Sequence, residues 1–365
     1  MAKIVIDARE LRTSTGRYVE RLLYYLQQVD TENSYKILLA PKDIEGWKPS
    51  NRKFAKVACK YKEFSFGEQL GMLKQLHHLK ADLVHFPMAQ QPILYGGKVV
   101  TTIQDLTTAR FRNPNKNWLV FTIKQQVYKF VIYWTAHKSA QLITPSEYVK
   151  NDVARYTRIN SRKVTVTLEA ADFITDEAEP ISDLEGKAFI MYVGRPQPHK
   201  NLDRLISAFA ILRQSAPNLR LVLVGKTDSL YRQLHKQTDR LGIKNVVFTG
   251  FVNEGQLRWL YEHSEAYVFP SMSEGFGLGA LEAMRYGAPV VSSNATCLPE
   301  IYKDAAVYFD PIDIEEMAHM IETVLKDPQL RKHLISRGKV VAGSYSWKRM
   351  AEQTLGVYKE ALNQT

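Results

Sequence analysis

Runs of β-branched residues alternate with helix-length amphipathic stretches, and they do so twice along the 365 residues, which favours parallel sheets joined by crossover helices. In the first half, strands are expected at 3–8, 35–40, 82–86, 98–103 and 141–144, with helices near 17–29, 67–79, 117–137 and 147–155. A strand at 164–168 and the acidic stretch Asp176-Glu177-Ala178-Glu179-Pro180 close this set. In the second set, strands at 189–193, 220–224, 245–249, 266–269, 289–292 and 306–309 interleave with helices near 201–214, 229–241, 254–263, 278–286, 313–326 and 328–340. A last helix covers about 346–362. The length exceeds what a single core supports, so the chain reads as two doubly wound α/β domains, 1–172 and 186–345, with a linker near 172–186.

Hydrophobic residues at 45% and charged residues at 24% are the proportions of a water-soluble globular protein. No stretch approaches the roughly 18 apolar residues of a membrane span, and the first residues enter a strand directly, so a cytoplasmic protein is expected. Cys59 and Cys297 have no metal-like or redox-like spacing and are expected to be reduced thiols. His77-His78 lacks a carboxylate or thiol at ligand spacing, so no metal site is expected there.

The net charge of +11 is uneven: residues 1–170 hold 27 Lys and Arg against 14 Asp and Glu, and the remainder 22 against 24. An excess confined to the N-terminal half points to an anionic partner, such as a membrane surface or a lipid-linked phosphate acceptor, or to a basic surface that only aids solubility. Nucleic acid is disfavoured because no recognised nucleic-acid-binding motif is present. The segment Trp118 to Trp134, with Phe121, Tyr128, Phe130 and Tyr133 beside Lys124 and Lys129, suits either an interfacial helix or a large helix packed on the sheet. The packed helix is favoured.

The run Pro270-Ser271-Met272-Ser273-Glu274-Gly275-Phe276-Gly277-Leu278-Gly279-Ala280-Leu281-Glu282 follows the apolar strand Ala266-Tyr267-Val268-Phe269 and opens a helix. Free N–H groups of Phe276, Gly277 and Leu278 at a helix start favour a phosphate or sugar oxygen. Glu274 can accept sugar hydroxyls, and Glu282, one turn inside the helix, can grip a ribose diol. This is the pattern of a nucleotide-sugar site.

The stretch resembles the signature of retaining glycosyltransferases of family four, the group 1 enzymes with the GT-B fold, and the likeness runs over nearly the whole chain. It includes Ile4-Val5-Ile6-Asp7 with Thr15-Gly16-Arg17-Tyr18, Asp82-Leu83-Val84-His85-Phe86-Pro87, and Thr101-Thr102-Ile103-Gln104-Asp105-Leu106. It continues through Thr144-Pro145-Ser146-Glu147, Tyr192-Val193-Gly194-Arg195 with Lys200-Asn201-Leu202, and Leu298-Pro299-Glu300. The resemblance implies two Rossmann-like domains facing across a cleft, with the last helix, 346–365, packed back on the first. It implies a hexosyl transfer, mannose favoured, from a GDP- or UDP-linked sugar to a glycan or lipid-linked acceptor of a cell-surface polysaccharide. No cofactor and no metal are implied.

By the same resemblance Arg195 and Lys200 meet the diphosphate in place of a metal, and no Asp-x-Asp motif competes with them. Glu274 contacts the donor sugar, Glu282 the ribose, and Gly16 lets the domains close on the diphosphate. Gln104 lies beside the reacting sugar where relatives often carry His, with Asp105 among the substrate-binding residues. A glutamine cannot carry a proton but can hydrogen-bond, and His85 is a candidate partial substitute. Gly279 stands where many relatives have proline and should loosen the helix start. A nucleotide-sugar-binding protein without catalysis and a sugar-nucleotide epimerase are the alternatives.

Overall fold

The computed structural model describes residues 1–11, 16–63, 65–112 and 118–364. Thr15 and position 117, both inside expected segments, lie outside them. The chain forms two compact units: Met1–Ala109, Thr122–Glu169 and Ser346–Thr365 make the first, and Arg110–Phe121 with Ala170–Tyr345 the second. The division thus falls after Glu169, ahead of the expected linker. The stretch 110–121 joins the second unit although the flanking chain does not.

The first unit holds a seven-stranded parallel sheet built from β1 (Lys3–Asp7), β2 (Ser34–Leu39), β3 (Phe54–Ala58), β4 (Leu83–Phe86), β5 (Val99–Thr102), β6 (Gln141–Thr144) and β7 (Val164–Val166). Its order is β3-β2-β1-β4-β5-β6-β7. Every residue of β4, β5 and β6 is buried, as helices on both faces of a parallel sheet require. The sequence expectation missed β3. Its Phe-Ala-Lys-Val-Ala pattern is only half buried because it forms the sheet edge, where Lys56 faces outward and blunts further pairing.

The second unit holds a six-stranded parallel sheet of β8 (Phe189–Val193), β9 (Arg220–Val224), β10 (Val246–Gly250), β11 (Ala266–Phe269), β12 (Val290–Ser293) and β13 (Ala306–Phe309), in the order β10-β9-β8-β11-β12-β13. Helices expected between these strands are present, among them Leu202–Leu212, Ser229–Arg240, Glu254–His263 and Leu278–Arg285. Local chemistry starts them: the Asp228 carboxylate accepts the Tyr231 N–H, and Asn253 with Gln256 makes a reciprocal capping box.

The last helix, Trp347–Asn363, belongs to the first unit and packs on helix Gly16–Val29. Its buried side follows helical spacing through Trp347, Met350, Ala351, Thr354, Val357, Tyr358 and Ala361. A polar tie reinforces this apolar contact. His85 of β4 meets the Tyr358 hydroxyl at 2.6 Å through Nδ1 and the Thr102 hydroxyl at 2.9 Å through Nε2, and the Tyr18 hydroxyl meets Thr102 at 2.9 Å. Burial pushes His85 down to about 3, so the ring is neutral, one nitrogen donating and the other accepting. Both nitrogens are spent inside the fold. The expected ligand contact of His85 is therefore corrected: the side chain is fully buried and anchors the last helix.

Because the folded value lies below the ordinary 6.5, the stability His85 supplies is present above pH 6.5 and is lost as pH falls towards 3. Tyr358→Phe, which orphans one ring nitrogen, should lower stability by about 1–3 kcal/mol at neutral pH. Urea denaturation should show a lower midpoint at unchanged slope. An unchanged midpoint would contradict the tie.

Candidate functional site

In the second sheet the strand order reverses direction between β8 and β11, and the crevice at their carboxyl ends is where open parallel sheets hold ligands. The chain leaving β8 and the chain leaving β11 are bound to each other at this point. The Met272 N–H donates to the His199 carbonyl at 2.7 Å. Asn201, buried and left-handed at φ +61°, donates from Nδ2 to the carbonyls of Pro270 at 3.1 Å and Pro311 at 2.6 Å. Its Oδ1 accepts Arg204 of the following helix at 2.9 Å, so both polar atoms of that amide are engaged.

These bonds bring together two of the residues expected in the site. Lys200 Nζ donates to Glu274 Oε1 at 2.5 Å, with both side chains largely shielded from water, and the ammonium also lies 5.9 Å from the Phe269 ring centre. The Glu274 backbone is held in turn: its N–H donates to Thr296 Oγ1 at 3.2 Å, and its carbonyl accepts the Cys297 thiol at 3.4 Å. Burial, with the Glu274 charge adding to it, pushes the Cys297 thiol and the Tyr192 and Tyr302 hydroxyls well above their ordinary values. They are protonated neighbours, unsuited to nucleophilic attack. Cys297 and Cys59 are both free and buried, in accord with the reduced thiols expected.

The other expected residues are placed as follows. Arg195 leaves the end of β8 through Gly194, is more than half exposed, and reaches Asp228 Oδ2 at 3.7 Å. Glu282 sits one turn into helix Leu278–Arg285, half-buried, with the Tyr261 hydroxyl donating to it at 3.4 Å. The start of that helix has no side-chain cap, and its N-cap is Gly277 at φ +90°, a conformation suited to glycine. Phe276 is buried edge-to-face on Tyr345, so its ring packs and only its backbone is available to a ligand. A Cβ on Gly279 would approach the Tyr267 hydroxyl to 2.7 Å, which gives a packing reason for glycine at this position.

In the first unit Gly16 is the first residue of its helix, and a Cβ there would collide with the Leu11 carbonyl, so it permits a close backbone crossing. Asp105 accepts the Thr107 N–H at 2.7 Å and starts the short helix Thr107–Arg110. Gln104 lies past the end of β5, and its buried Nε2 has no hydrogen bond of ordinary geometry. Sequence reasoning did not single out Asp228, Thr296, Tyr302 or Glu169. Only Asp228 left a local signal, an Asp-Ser pair opening a helix.

Residues 174–341 match the family described as Glycosyl transferases group 1. The second unit is a group 1 glycosyltransferase domain. O-antigen chain mannosyltransferase B of Escherichia coli is 32% identical over 234 residues, 60% of this chain and 61% of that protein. An uncharacterized glycosyltransferase of Methanocaldococcus jannaschii is 31% identical over 246 residues, 63% of this chain and 62% of that one. The serotype-specific mannosyltransferase WbdA of Escherichia coli is 32% identical over 222 residues, 56% of this chain and 27% of its own length. The chain thus spans about three fifths of the length of the first two relatives.

Among solved structures, sucrose-phosphate synthase from Thermosynechococcus elongatus superposes with a TM-score of 0.78 at 17% identity over 99% of both chains. WaaG, a glycosyltransferase involved in lipopolysaccharide biosynthesis, superposes at 0.72 and 16% identity over 97% of this chain and 99% of its own. The two Rossmann-like units of the chain are those of the GT-B fold.

The helix start in the group 1 domain depends on Gly277: a Cβ there would strike the Tyr302 hydroxyl, which donates to the Gly277 carbonyl at 2.6 Å. Gly277→Ala should cost about 1–3 kcal/mol of stability from backbone strain and this clash. Thermal unfolding that matches the parent would refute the placement.

Proposed function

We propose that the chain is a retaining glycosyltransferase that moves a hexosyl group, mannose in the first place, from a nucleoside-diphosphate sugar to a glycan or lipid-linked acceptor in cell-surface polysaccharide synthesis. The observation that carries this reading is the Lys200–Glu274 pair at the strand-order reversal, beside a helix start without a side-chain cap. The mannosyltransferase names of similar proteins support the choice of sugar.

Transfer breaks the bond between the anomeric carbon and the phosphate oxygen and forms one to the acceptor oxygen, while the acceptor's proton passes to the leaving phosphate. Negative charge grows on the diphosphate as that bond breaks, and groups aimed at it lower the barrier. Lys200, Arg195 and the N–H groups at Gly277 and Leu278 are the donors for that charge. Glu274 accepts sugar hydroxyls and Glu282 the ribose diol. The cations make the reaction independent of a divalent metal and of any other cofactor.

Gln104, which cannot carry a proton, in place of the family's usual His favours one alternative, a nucleotide-sugar-binding protein without turnover. Incubation with GDP- and UDP-linked hexoses and a lipid-linked acceptor separates the readings. Lys200→Ala should lower turnover by about two to three decades, with a smaller loss of donor affinity, since its partner charge appears in the transition state. Glu282→Ala should weaken nucleotide binding by about 1.5–3 kcal/mol in calorimetry. Transfer should persist in excess EDTA. A parent that binds donor and never transfers, or one that needs magnesium, contradicts the corresponding part.

A cytoplasmic protein working at an anionic membrane face is part of this reading. No helix among the described residues is long and apolar enough to cross a membrane. Helix Trp118–Lys138 packs inward through Phe121, Tyr128, Val131, Ile132 and Ala136, yet its outer face bears Ile123, Val127, Phe130 and Trp134 at 42–57% exposure. The packed helix expected from the sequence describes only one of its faces. No Asp or Glu occurs between Asp105 and Glu147, where Arg110, Arg112, Lys116, Lys124, Lys129 and Lys138 fall. An apolar, aromatic helix face within an acid-free basic stretch complements anionic lipid headgroups. Replacing Ile123, Val127 and Phe130 together by Ser should reduce binding to anionic vesicles at least about tenfold. Equal binding to neutral and anionic vesicles at low salt would reject this contact.

A further inference from the structure

Past the carboxyl ends of β5 and β7, which flank β6, the first unit carries two side chains with buried polar groups, the Gln104 amide nitrogen and the Glu169 carboxyl. The backbone is fixed on both sides, with the Ile103 N–H on the Ile143 carbonyl and the Thr167 N–H on the Thr144 carbonyl, each at 2.9 Å. Gln104 follows the first of these bonds by one residue, and Glu169 follows the second by two. Glu169 is 5% exposed. Gln104 presents a buried Nε2 without a hydrogen bond of ordinary geometry, and this amide acts on the Glu169 carboxyl closely enough to favour its charged form.

We propose that Glu169 is a positioning residue for Gln104: its carboxylate takes the Gln104 N–H and thereby turns the amide oxygen towards the sugar or acceptor hydroxyl. The proposal rests on the glycosyl-transfer reading for its functional consequence, although the pairing itself does not. A carboxylate only accepts, so it selects the Nε2 side of the amide; a carboxylic acid donates, selects Oε1, and reverses the presentation.

Three groups face Glu169: the Gln104 amide, Arg17 and Tyr18. Burial pushes its carboxyl up to about 7, opposed first by the Gln104 amide and then by the positive charge of Arg17. Tyr18, on the same helix as Arg17, is bonded to Thr102 and stays protonated, pushed up by burial and by the Glu169 charge. His85, beyond Thr102, is neutral. None of them can take the proton from Glu169 near neutrality, so a change in its charge is passed to the Gln104 amide. For a raised carboxyl the stability contribution is present below about 4.5 and is lost as pH rises through about 7. Above neutrality the fold is therefore less stable with an ionised Glu169 than with a neutral side chain of the same shape.

That sign separates a positioning role from a structural one. Glu169→Gln should fold with equal or greater thermal stability at pH 8, whereas a purely structural carboxylate would be missed. In protein labelled with ¹⁵N-glutamine, the Gln104 side-chain amide, identified by its loss in Gln104→Ala, should titrate near pH 7 in the parent and not in Glu169→Gln. Transfer by Glu169→Gln should fall by about one to two decades and lose any inflection of kcat/KM near pH 7. An amide that does not titrate overturns the pairing whether or not the protein transfers sugar. An amide that titrates in a parent whose transfer is unaffected by Glu169→Gln overturns the functional part. A parent without transfer activity leaves the pairing to the amide titration and counts against the glycosyl-transfer reading alone.

Discussion

The candidate donor site depends on the bonds that hold the chain after β8 to the chain after β11. A parallel sheet with this strand order opens a crevice between those two strands, but an open crevice does not by itself position a charge. Asn201 supplies the positioning, because its left-handed backbone turns the chain directly after Lys200 while its amide grips the carbonyls of Pro270 and Pro311. With the Met272 N–H on His199, the loops are held together on either side of Lys200 and Glu274. The ion pair then forms between side chains whose backbones are already placed, so little backbone entropy remains to oppose it.

The fold was legible because each sheet is buried on both faces. Burial demands continuous apolar strands such as Leu83–Phe86 and Val290–Ser293, and crossover helices must alternate with them. The edge strand Phe54–Ala58 escaped because half of it faces solvent and carries lysine. In the site, Lys200 and Glu274 were legible as residue types at a strand end and a helix start, but their mutual contact was not. It depends on a buried asparagine in a left-handed conformation, which has no periodic signature. Glu169 was invisible for a related reason: a carboxylate in a coil after a strand reads as surface, and only tertiary packing makes it buried.

His85 and Gln104 show why residue type at a strand end does not fix a role. Both follow apolar strand residues in the same sheet, and imidazole is the better proton carrier. Burial nevertheless removes His85 from proton chemistry, because both nitrogens are matched and the charged form would lose its solvation. Gln104 cannot titrate, but it stands next to a Glu169 carboxyl that burial pushes up to about 7. The side chain of this pair that burial shifts towards neutrality is therefore Glu169, not the histidine that looks suited to proton transfer.

The second unit has the complementary arrangement. Lys200 and Glu274 neutralise one another at 2.5 Å, while Arg195 and Asp228 stand at 3.7 Å. In the proposed reaction a diphosphate entering beside Lys200 would bring more negative charge than Glu274 alone supplies, and the helix start at Gly277 would offer N–H groups for its oxygens. The ammonium would then have two anionic partners, and its attraction to the phosphate would strengthen as the sugar leaves, whereas the attraction to Glu274 would not. A resting ion pair of this kind keeps a shielded lysine in place without ligand and still leaves its charge available to the step in which new negative charge develops.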